Sequence, residues 1–140
     1  MRLGPDYILA RNFGAFQFLK SLDSNLVVCG DFSLNVSNSL SADYLFEKGF
    51  STLTTSYDLN VDQMLMMVKA CDPYKFEVTI HQYMPSFHME HCVFAAFLSK
   101  GSSFKDCGKP CEKHKVKLKD QFGNEHFIKA DQECRNTMYN

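Results

Sequence analysis

A chain of 140 residues has room for one ordinary hydrophobic core, and a hydrophobic fraction of 45% is that of a globular protein rather than a disordered or fibrous one. With 15 basic and 16 acidic residues the formal net charge is −1, so no global field draws the chain to nucleic acid or to an anionic membrane, although a local basic patch can hide in that sum. No window approaches the roughly eighteen apolar residues of a membrane span, and the first residues carry neither a basic stretch leading into an apolar run nor an Arg/Ser-rich leader, which a truncated chain would have lost. An intracellular place is the expectation, cytoplasmic or organellar, plastids included.

Residues 6–12 are a short apolar run, and Phe13, Phe16 and Leu19 follow at helical spacing. The same strand-then-helix cycle returns twice. Residues 26–35 read as a buried strand, and Ser37 or Asn38 caps a helix carrying Ala42, Leu45 and Phe46 that Gly49 stops. Residues 50–57 are rich in β-branched and aromatic residues, and Asn60 precedes Val61, Met64, Leu65 and Val68. Residues 76–81 make a fourth strand, after which Pro85 is expected to break any continuing ladder.

Strands separated by single helices need crossovers and a parallel sheet, the grammar of a barrel or of a doubly wound fold. Four such units cannot close a barrel alone, and the strands before residue 50 would leave an unpaired parallel edge that favours self-association. Beyond Pro85 the character changes. An apolar stretch over residues 91–98 leads to a Gly/Ser/Lys-rich segment, then residues 113–120 alternate, residues 121–124 suit a turn, and residues 125–129 return as a second strand. The fold expected is α/β: a partial parallel βα (TIM-like) barrel over residues 1–84, followed over residues 85–140 by a small Cys-rich β-hairpin module.

Six cysteines would allow three disulfides in a secreted protein, but four of them crowd into the last third, which suits ligands better than staples. Cys29 lies in an apolar run and Cys71 follows a Met-rich one, so both read as packing thiols. Cys107-Gly-Lys-Pro-Cys111 is a C-x3-C pair whose Gly108 and Pro110 permit a tight turn, with Cys92 before it and Cys134 after the hairpin. Together these four thiols can form one site for zinc or for an iron–sulfur cluster, and ligand chemistry alone does not separate the two. The plainer alternative is reduced, unligated thiols or one disulfide with spares. His81, His88, His91 and His114 lie near in sequence but read as surface or packing residues, and Met64 to Met67 as the buried face of a helix. The hairpin lysines read as a solvated face that can also meet phosphate.

The stretch Glu77-Val-Thr-Ile-His-Gln-Tyr-Met-Pro-Ser-Phe-His-Met-Glu-His-Cys92, with Cys107, Cys111, Leu118-Lys-Asp120 and Cys134-Arg-Asn-Thr137, resembles the collagenase-like peptidase family, class U thirty-two. That family joins a barrel-like region to a Cys-containing signature and a small module ending in a Cys-Arg-Asn-like stretch, so the chain looks like the second half of the barrel with the module attached. Gln82 stands where the signature commonly has Gly, and Pro85 where it has its first cysteine. Cys92 matches the second, and the Cys107/Cys111 pair is similar to a variant ligand spacing found in relatives that carry a four-iron four-sulfur cluster.

The resemblance therefore implies a cluster on Cys92, Cys107, Cys111 and Cys134. Better-understood relatives support hydroxylation of RNA bases or of a quinone precursor, some with prephenate as oxygen source, so RNA or a small aromatic molecule is the implied partner. Peptide hydrolysis, the family's namesake, and a structural zinc module without catalysis are the alternatives. No H-E-x-x-H helix or G-x-S-x-G elbow supports a protease. In a barrel, active sites gather at the C-terminal ends of strands, which makes Arg11, Asn12, Asp31, Asn35, Tyr57 and His81 candidates for a pocket wall. Glu77, His81 and Glu90 are the candidates for acid–base work.

Overall fold

The computed structural model describes residues 4–101 and 105–140, and the chain divides into two compact units, Met1–Ile80 and His81–Asn140. In the first unit, β1 (Ile8–Ala10), β2 (Val28–Gly30), β3 (Leu53–Thr54) and β4 (Phe76–Glu77) lie side by side in chain order, all parallel. The crossovers are α1 (Phe13–Leu22), α2 (Ser39–Lys48) and α3 (Val61–Ala70).

Local chemistry sets the helix ends. Asn12 Oδ1 accepts from the Ala15 N–H at 2.7 Å and Asn38 Oδ1 from the Ser41 N–H at 2.9 Å. Asn60 and Gln63 form a reciprocal capping box at the start of α3. Gly49, at φ 105°, closes α2 in the left-handed conformation that glycine adopts without steric cost. Of the two expected caps for α2, Asn38 is the one used.

The strands are shorter than the apolar runs that signalled them. After Gly30 the Asp31 carboxylate accepts from the Phe32 N–H and draws the chain into a 3₁₀ turn, Phe32–Leu34, so the ladder of β2 stops there. The ladder of β4 ends where the Thr55 N–H donates to the Glu77 carbonyl at 3.0 Å, leaving Val78 and Ile80 exposed.

Ala10, Val28 and Leu53 from the strands pack with Phe16 of α1, Ala42 and Leu45 of α2 and Met67 of α3. The three helices therefore share one sheet face. Leu9 and Cys29, paired across β1 and β2, and Thr54 and Glu77, paired across β3 and β4, occupy the other, because side chains alternate along a strand and paired residues point the same way. Leu9 is 50% exposed there. Cys29 is buried and Cys71 packs partly buried against the helix-side core, its Sγ donating to Asp43 Oδ1 at 3.5 Å. The expected α/β class with a parallel sheet is present, and the sheet does not close into a barrel.

The second unit is larger in architecture than a hairpin. Strands β5 (Pro85–Met89), β6 (Val116–Lys119), β7 (Glu125–Ala130) and β8 (Asn136–Tyr139) form one antiparallel sheet in the order β5-β8-β7-β6, accompanied by α4 (Val93–Leu98). The expected hairpin is its β6–β7 half, closed by a turn in which the Asp120 carboxylate accepts from the Phe122 and Asn124 N–H groups. Pro85 opens a strand instead of ending the sheet. As the first residue of an edge strand it gives up no N–H that the ladder needs. Phe94, Ile128 and Met138 form the buried centre, with Cys92 and Cys111 packed partly buried against it. Among the described residues no helix is long and apolar enough to cross a membrane.

Candidate metal centre

Three segments of the second unit deliver the four cysteines. Cys92 sits immediately before α4, half-buried against Phe94, Ile128 and Met138. Cys107 and Cys111 flank a sharp reversal in which consecutive residues, Gly108 at φ 68° and Lys109 at φ 50°, are both left-handed, and Pro110 then starts a 3₁₀ turn, Pro110–Glu112. Gly101 is packed so closely on this segment that a Cβ there would lie 2.4 Å from the Asp106 carbonyl oxygen and 2.7 Å from the Cys107 nitrogen. A side chain at 101 would therefore displace Cys107.

Cys134 lies in the turn between β7 and β8 and is itself left-handed, at φ 63°. Asp131 builds that turn. Its carboxylate accepts from the Glu133 and Arg135 N–H groups, both at 2.9 Å, its own N–H donates to the Arg135 carbonyl, and its carbonyl accepts from the Cys134 N–H. Left-handed turn positions favour glycine or asparagine, and a non-glycine residue held there bears a conformational cost of about 1–2 kcal/mol.

The four thiols face a common neighbourhood. Burial pushes the Cys134 thiol up from its ordinary value, and Cys92, Cys107, Cys111 and the Asp131 carboxylate, all within electrostatic reach, push it further. Cys92, Cys107 and Cys134 line one hollow of about 490 Å³ together with Glu90, His91 and Glu133, while Cys111 opens onto a neighbouring hollow. Arg135 governs the rim. Its guanidinium pairs with Glu133 and lies 3.9 Å from both Glu90 and Asp131. Among the described residues, no three His, Cys, Asp or Glu side chains are drawn together tightly enough to hold a metal ion as they stand. The donor set itself, four soft thiols within electrostatic reach of one another at Cys134, fits a thiolate-bound metal or cluster.

The candidates of the first unit have local employment. Arg11 Nε donates to Asp31 Oδ2 at 3.0 Å, and Ser33 Oγ donates to the Arg11 carbonyl, so the ends of β1 and β2 are laced together. Asn12 caps α1, Asn35 closes the 3₁₀ turn at φ 53°, and Tyr57 packs on Phe32 with ring centroids 5.0 Å apart. Glu77 is exposed and accepts from Thr52 Oγ1 at 3.2 Å. His81 is exposed and opens the second unit. Glu90 and His91 reach the cysteine hollow; His88 instead meets Thr137 Oγ1 across β5 and β8, and His114 lines the hollow beside Cys111.

Asn136, quoted above only as part of the Cys134-Arg-Asn-Thr137 stretch, was given no role from the sequence. It is wholly buried in central strand β8, with Oδ1 accepting from the Val93 N–H at 2.8 Å and Nδ2 donating to Cys92 Sγ at 3.8 Å. A polar residue at an inward position of an alternating strand, two before buried Met138, was the available signal.

The family model of peptidase family U32 matches residues 1–138. No curated protein and no solved structure matches the chain.

Proposed function

This chain belongs to peptidase family U32, and we propose that Cys92, Cys107, Cys111 and Cys134 hold a four-iron four-sulfur cluster in the C-terminal part of a protein that supports hydroxylation of RNA or of a small aromatic substrate. The observation that carries the metal reading is the convergence of three thiols and a carboxylate on Cys134. A thiol binds a metal as the thiolate, so binding here would be coupled to proton release. When bound, such a cluster supplies one-electron chemistry.

This chain's own residues do the holding. The left-handed pair at Gly108 and Lys109 turns two sulfurs toward the others, the Asp131 turn presents a third, and the start of α4 presents the fourth. Arg135 keeps carboxylates on the rim partly neutralised. The hydroxylation role rests on the family resemblance. In the first unit, parallel strands in chain order with all three helices on one face support an arc of a βα barrel, since a doubly wound sheet is covered on both faces. The remaining strands would come from further chain or from a second copy. A Cys–His protease nucleophile has less support, because the partner of Cys92 Sγ is the Asn136 amide.

The deciding measurement is the visible spectrum of anaerobically purified protein, with iron, sulfide and zinc quantified on the same sample. A broad brown absorbance with iron and sulfide, lost in C107S and C111S, is the expected result. A colourless protein with about one zinc per chain would overturn the cluster reading in favour of a closed structural site.

A further inference from the structure

Asn136 does two jobs with one side chain. Its neighbours on the inward face, Phe94, Ile128 and Met138, are apolar, and a buried amide among them is costly unless both of its ends are satisfied. The Oδ1 end takes the Val93 N–H, the first backbone donor of α4, which the Cys92 side chain does not cap. The Nδ2 end points at Cys92 Sγ. Strand β8 fixes that aim, because Asn136 is paired on both sides, with Ala130 of β7 and Met89 of β5.

We propose that Asn136 is the positioning residue of the metal centre: it orients Cys92 through the start of α4 and through the contact from its amide to the sulfur. This rests on the four-thiolate reading above, but it does not depend on which metal is held. Outer-sphere partners of this kind typically change metal affinity by about ten- to a hundredfold when removed.

The test compares N136D, N136S and M138A in the full chain. N136D keeps an oxygen acceptor for Val93 while removing the donor to Cys92, N136S withdraws both ends of the amide without burying a carboxylate, and M138A loosens the core on which Cys92 packs while leaving the amide in place. Each protein is loaded anaerobically with iron and sulfide, and separately with zinc, and the rate of metal loss to a competing chelator is followed beside the melting temperature of the metal-free form. The expected result is loss about tenfold faster or more in N136D and N136S, and near the wild-type rate in M138A. Should N136D fail to fold, N136S carries the comparison. Loss at the wild-type rate in the foldable Asn136 variant, or equal acceleration in M138A, would show a purely structural role and overturn the proposal while leaving the four-thiolate reading intact. If the wild-type chain retains neither metal, that reading and the proposal fall together.

Discussion

Replacing Cys134 by glycine separates what the turn wants from what the site wants. At φ 63° the residue sits in a conformation that costs an L-residue about 1–2 kcal/mol, and glycine releases that cost. Against this, glycine gains freedom in the unfolded chain worth about 0.4–1 kcal/mol. The net for metal-free C134G is a stabilisation of about 0.5–1 kcal/mol, which in a domain of this size raises the melting temperature by about 2–8 °C. C134A keeps the strained backbone and loses only the sulfur, so its metal-free form melts near the wild type. On the four-thiolate reading, reconstitution with iron and sulfide should reverse the order, since the wild type would gain stability from ligation that neither variant can fully share. Far-ultraviolet melts of the three proteins, run anaerobically with chelator and again after reconstitution, give the comparison directly. Metal-free C134G melting below C134A would refute the backbone argument, and an equal gain on reconstitution in all three would remove Cys134 from the ligand set.

Two other outcomes follow from the two units. Hydrogen bonds from Asn124, foremost its side-chain amide, hold the Asp120 carboxyl down to about 2, so its contribution is present above the ordinary carboxylate range and disappears as pH falls from about 4 toward 2. Acid titration followed by circular dichroism should show that part of the loss abolished in D120N; parallel profiles for the two proteins would dismiss it. Leu53 is fully buried at the centre of the parallel sheet, so L53A should cost about 2–5 kcal/mol in urea unfolding, and a cost under about 1 kcal/mol, typical of surface sites, would mean that the helix-side core is misassigned.

Helix boundaries were legible because their causes are local. Asn38, Asn60 and Gly49 act within a turn of the chain, and each is visible in the sequence as a helix-end residue beside an apolar period, whereas Asn12, read as a candidate for a pocket wall, caps α1. The antiparallel sheet was only half legible. β6 and β7 are joined by a short turn, but β5 and β8 pair across most of the second unit, and Pro85 argued against a strand until its place at the edge was known. The C-x3-C reversal could be read from Gly108 and Pro110, whereas the left-handed backbone at Cys134 depends on the Asp131 carboxylate bridging two amides, which no spacing rule announces. Arg11 and Asp31 were sorted to the strand ends correctly by topology, yet their bond to each other is a tertiary fact.

The second unit has very little to bury. Among its described residues only Phe94, Ile128 and Met138 form a buried apolar centre, for a unit spanning His81–Asn140. Domains near that length are marginal on hydrophobic burial alone and are commonly completed by cross-links. Tying residues 92, 107, 111 and 134 to one centre would close three successive loops of chain, removing conformational freedom from the unfolded ensemble as disulfides do in small secreted domains. On the four-thiolate reading, the sheet gains a large share of its stability from ligation, which needs all four of these cysteines in place. Conditions that strip the metal then leave the unit folded on its small core alone, closer to its melting transition.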